Sequence, residues 1–86
     1  MTHIAKRMER YVQARRTVDS LEEVDEAYLS TDAAGRPGPM YVILDSTESS
    51  TRALFDPMRE ERLVITCVDT FRDAFRVQMV LREWIA

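Results

Sequence analysis

Two aspartates stand at matching places in this chain. Asp45 follows the apolar run Met40-Tyr41-Val42-Ile43-Leu44, and Asp69 follows Leu63-Val64-Ile65-Thr66-Cys67-Val68. A hydroxyl residue comes next in each case, Ser46 or Thr70. If the two runs are neighbouring parallel strands, both carboxylates lie at the carboxyl edge, where open α/β sheets bind ligands. With Glu48 they would offer oxygen ligands to one Mg²⁺, the arrangement a nuclease or phosphotransferase requires. The same residue types are also the favoured helix N-caps. No Lys, His or third strand-end acid accompanies the pair, so capping is the preferred reading.

The other reactive side chains are isolated. His3 lies in the first turn with no identifiable neighbour to position it as a base. Cys67 falls within a strand-like run and reads as buried filler, without the cation or helix terminus that activates a thiol. Ser46, Thr47, Ser49, Ser50 and Thr51 surround Glu48 without glycines, so they form no phosphate-cradling loop. Lys6, Arg7 and Arg10 could touch nucleic-acid phosphates, but exposed aromatics and a second basic element are missing. No motif specifies a cofactor.

Charge is unevenly spread. Residues 1–18 hold five cations against Glu9, a local +4, while residues 19–34 hold six acids and no base. The total of −3 argues against a dedicated nucleic-acid binder. The 86 residues make one domain, and 45% hydrophobic content makes it globular. Such a domain buries only roughly 60% of its unfolded surface, so a partner would help it. One cysteine excludes an internal disulfide, and no Cys/His cluster offers a zinc site. The charged first ten residues do not resemble a signal peptide. No apolar run reaches the roughly 20 residues of a membrane span. The expected location is the cytoplasm.

These residues need elements to position them. Ile4, Met8, Tyr11 and Val18 predict a helix over residues 3–16, with Arg15 inside its apolar stripe. Residues 17–31 are ambiguous. Ser20-Leu21-Glu22-Glu23 matches a capping box for a second helix. A strand over 24–31, followed by the loop from Asp32 to Pro39, is preferred because Tyr28 to Thr31 sits close before that loop. Met40 to Leu44 is the firmest strand. Residues 47–61 read as helical in part, broken near Asp56 by Pro57. A strand over 63–68 and a helix over 70–85 complete the chain, the latter opened by Thr70-x-x-Asp73.

The expected fold is a small α+β domain, α-β-β-α-β-α, with a three-stranded mixed sheet. Strands 40–44 and 63–68 would be parallel, joined by a right-handed crossover. In the last helix, Val77, Val80 and Trp84 form a second apolar stripe beside Phe71, Ala74, Phe75, Leu81 and Ile85. The apolar arc then exceeds about 200°, against little more than about 100° for a surface helix. That excess points to an interface at Val77, Val80 and Trp84. The expected function is a non-enzymatic interaction or adaptor domain that forms a homodimer or docks on a larger protein, outside membranes and without a cofactor. The alternatives are a Mg²⁺-dependent phosphodiester or phosphotransfer enzyme using Asp45, Glu48 and Asp69, and a weak nucleic-acid binder using the first helix.

Overall fold

The computed structural model of the chain describes residues 2–45 and 48–84. Helix α1 (Thr2–Asp19) leads into strand β1 (Val24–Thr31) and strand β2 (Pro37–Leu44). Two short helices follow, α2 (Glu48–Ala53) and α3 (Phe55–Glu61). Strands β3 (Leu63–Phe71) and β4 (Ala74–Leu81) come next, then a 3-10 turn, Arg82–Trp84. The four strands form one antiparallel sheet in the order β1-β2-β4-β3.

The α+β class and the β1–β2 hairpin agree with the sequence. The strand count and the pairing do not. The expected helix over 70–85 is instead the end of β3, a tight turn, β4 and the 3-10 turn. β4 inserts between β2 and β3, so the expected parallel crossover gives way to two antiparallel pairings. The reason is visible in residues 75–81. Phe75, Val77 and Met79 alternate with the polar Arg76 and Gln78, and Val80 alone breaks the pattern before Leu81. Gln78 also falls in the middle of the supposed helical stripe, whereas it fits the polar side of a strand. Thr70 and Asp73 flank the turn rather than cap a helix, and Arg72 takes a left-handed φ of 59° there.

The hairpin loop is built from its own polar groups. The Asp32 carboxylate accepts bonds from the Ala34 and Arg36 amides, both at 2.9 Å. Gly35 has φ 80°, a conformation glycine adopts without penalty. β2 begins earlier than expected, at Pro37. Its first three residues precede the β4 pairing, which starts at Met40, so neither proline removes a ladder bond to β4.

The helical stretch breaks at Leu54, two residues before the expected point. Pro57 is the third residue of α3, where an amide has no intrahelical acceptor, and the first α3 bond runs from the Met58 amide to the Leu54 carbonyl at 2.9 Å. Proline therefore costs nothing there. Arg62 ends the helix in a left-handed conformation, φ 56° and ψ 49°.

Each antiparallel pair places its residues on one face. The rows Leu29–Met40–Met79–Ile65 and Ala27–Val42–Val77–Val68 face the helices. Tyr11, Ala14 and Val18 of α1 join Met40, Val42, Leu54, Met79 and Leu81 in the core. α1 lies over β1 and β2, and α3 lies between α1 and the start of β3. Polar contacts lock this layer. Arg15 donates to the Ala27 carbonyl at 2.8 Å, which is how a cation in the apolar stripe is satisfied. Glu61, buried, accepts from Thr17 at 2.7 Å and pairs with Arg10 at 3.5 Å. Arg10 also reaches Glu83 at 3.4 Å.

Candidate interaction surface

β3 is the sheet edge that the sequence did not reveal. Its inner side pairs with β4 along the whole strand. Its outer side meets no other strand among the described residues. An unpaired edge presents a row of amide and carbonyl groups to any strand that approaches. A bulge shapes it. Ile65 pairs with Met79 and Cys67 with Gln78, which leaves Thr66 as the extra residue. Ile65 and Cys67 therefore point to opposite faces. Beyond the bulge, residues 67–71 run in regular register.

α3 packs against the start of β3, and the helices leave the strand beyond Val64 uncovered. Ile65 and Val68 point to the helix-bearing face, yet they are 36% and 53% exposed. They are apolar side chains in a core row without a cover. Thr66 and Cys67 are exposed beside them. Cys67 was expected to be buried filler; its place on an edge strand exposes it instead. The other edge, β1, is blunted by two register irregularities and by the exposed acids Asp25 and Glu26.

The face of the sheet opposite the helices is ordered by aromatic and charged contacts. Tyr28 and Tyr41 stack with centroids 5.2 Å apart. The Arg76 guanidinium lies 5.4 Å from the Tyr41 ring centre and donates to Asp69 at 2.7 and 3.2 Å. Asp69 is thus inside a strand and forked to an arginine. The Arg76 hydrogen bond holds its carboxyl below the ordinary value of 3.8, against a smaller opposing effect of desolvation. Bonds from the Arg36 and Ala34 amides lower Asp32 likewise, the Arg36 bond contributing most. These contributions to stability are present above the unfolded value of 3.8 and disappear as pH falls through the lower folded values. The urea midpoint is therefore expected to drop on acidification, and less steeply in Asp69→Asn. Identical acid slopes for the two proteins would remove Asp69 from the account.

The sequence-derived candidates scatter. Val77 is buried in the core at 4% exposure, while Val80 is half-buried on the opposite face, across from Val64. Trp84 ends the 3-10 turn, and its side chain lies outside the described residues. Helical spacing had put these three on one face; strand geometry separates Val77 from Val80. Asp45 follows β2 and Asp69 lies in β3, with β4 between them. Two strand spacings, roughly 10 Å, part their backbones. The Glu48 side chain lies outside the described residues. Among the described residues, no three His, Cys, Asp or Glu side chains are grouped to hold a metal ion. Lys6 is exposed, Arg10 is engaged as above, and the side chains of His3 and Arg7 lie outside the described residues. No described helix is long and apolar enough to cross a membrane.

β3 carries little of what marks an edge strand, since residues 63–68 hold no charge and no proline. The one available signal was the alternation of residues 75–81, which would have supplied β4 and pushed β3 outward. Comparison adds no relative: no family model, curated protein or solved structure matches the chain.

Proposed function

We propose that this chain is a non-enzymatic interaction domain that self-associates through the β3 edge. The observation that supports it is the pair Ile65 and Val68, exposed at 36% and 53% beside an unpaired strand edge. A strand edge is best satisfied by another strand. A second copy supplies one by two-fold symmetry, the commonest arrangement of soluble oligomers. Antiparallel pairing of the two β3 edges joins two sheets into one and covers Val68 in both copies. The charge on Asp69 does not oppose this, because Arg76 already holds it.

The test is sedimentation velocity over about 1–100 µM. The wild type is expected to dimerise within that range. Val68→Lys places a charge on the edge and is expected to weaken association about tenfold or more. It should leave the fold intact, because Val68 is 53% exposed. A wild type that stays monomeric throughout, or a Val68→Lys variant that dimerises as well as wild type, would end this reading.

A further inference from the structure

A groove of about 520 Å³ opens beside α3, at the start of β3. Phe55, Met58 and Leu63 line its apolar side, and Arg59, Arg62 and Arg82 its charged side. Three arginines around one groove are notable in a chain of net charge −3. Arg59 pairs with Asp56 at 3.2 Å, an exposed contact of little strength. The Arg62 and Arg82 backbones are bonded to each other, Arg82 amide to Arg62 carbonyl at 2.8 Å. That bond fixes the two residues side by side. Neither guanidinium has an acid or a carbonyl as partner among the described residues. The Phe55 side chain is also uncommitted, at 55% exposure.

We propose that this groove binds a short acidic segment of a partner protein that carries an apolar side chain between its carboxylates. Paired arginines suit carboxylates, because the planar guanidinium donates two parallel bonds to one acid. Phe55 and Met58 suit an apolar side chain, Met by its flexible fit. Free phosphate would use the arginines and leave the apolar side idle. A long polyanion would run beyond the three arginines onto a chain of net charge −3. The peptide must be short, since the groove holds only a few side chains. Of the groove's lining residues only Leu63 belongs to β3, and the inference does not require self-association.

The experiment is fluorescence anisotropy of a labelled hexapeptide alternating Glu and Leu, with the full chain at low salt. A Gln/Leu peptide, inorganic phosphate and a single-stranded oligonucleotide are the comparison probes. The Glu/Leu peptide is expected to bind, and the Gln/Leu peptide at least about tenfold more weakly, since charge-assisted bonds are the stronger ones. Arg82→Glu and Phe55→Ser should each weaken binding about tenfold or more. Arg62→Gly gives a second route. It removes the guanidinium at a left-handed position that glycine accepts, so the fold is retained. Equal binding of the two peptides, or binding indifferent to Arg62 and Arg82, would overturn the proposal. So would tighter Arg82-dependent binding of phosphate or of the oligonucleotide.

Discussion

Met79→Ala is expected to cost about 2–5 kcal/mol of folding stability. Met79 has no exposed surface, and it stands at the centre of the row Leu29–Met40–Met79–Ile65. Met40 beside it is equally closed to solvent. Truncation removes buried methylenes and the thioether, then leaves a cavity that two central strands cannot close, because both are pinned by ladders on each side. Native domains are stable by only about 5–15 kcal/mol, and a chain this short sits low in that range. The variant should therefore unfold partly near room temperature. Ile65→Ala, one strand away in the same row, is the matched comparison. Ile65 is 36% exposed, so its truncation should cost about 1 kcal/mol or less. Urea unfolding of the two variants reads the difference. Equal losses would mean that Ile65 is covered after all, or that the row does not form the core.

That contrast between neighbours in one row also shows what sequence could reveal. α1 was legible because Ile4, Met8, Tyr11 and Val18 recur at helical spacing, and Tyr11 and Val18 do fill the core. The β1–β2 hairpin was legible because Gly and Pro punctuate residues 35–39. β1 itself was nearly missed. Its bulge at Asp25 turns Val24 inward and Glu26 outward, although both have the same parity, so strict alternation is lost. β4 reads as a helix for a different reason. Val77, Val80 and Trp84 satisfy helical spacing by coincidence, and the turn between β3 and β4 uses Arg72-Asp73, which lacks the Asn or Gly that marks most two-residue hairpins. Once β4 became a helix, β3 became a central strand, and Cys67 and Val68 became interior. The β3 edge was lost by that single error. The arginine groove was illegible for another reason: it joins α3 to the 3-10 turn, twenty residues apart, by a backbone bond that only the folded chain makes.

Tyr11→Phe is expected to cost about 1–3 kcal/mol through one hydrogen bond. The Leu81 amide donates to the Tyr11 hydroxyl at 3.2 Å, and both residues are buried. This bond spans seventy positions and ties the first helix to the last strand. Phenylalanine keeps the ring and its packing, so the substitution tests the hydroxyl alone. Without it, the Leu81 amide loses its acceptor in a place that water does not reach, and an unmet buried donor bears its full desolvation cost. The loss should also be local. Exchange of the Leu81 amide with solvent deuterons should accelerate more than exchange at Met79, whose strand position on the β2 and β3 sides is unchanged. Stability and local exchange together separate this bond from packing. A variant that is less stable but keeps Leu81 protected has lost packing, not the bond. A variant as stable as wild type, with Leu81 still protected, would mean that the amide is satisfied without Tyr11.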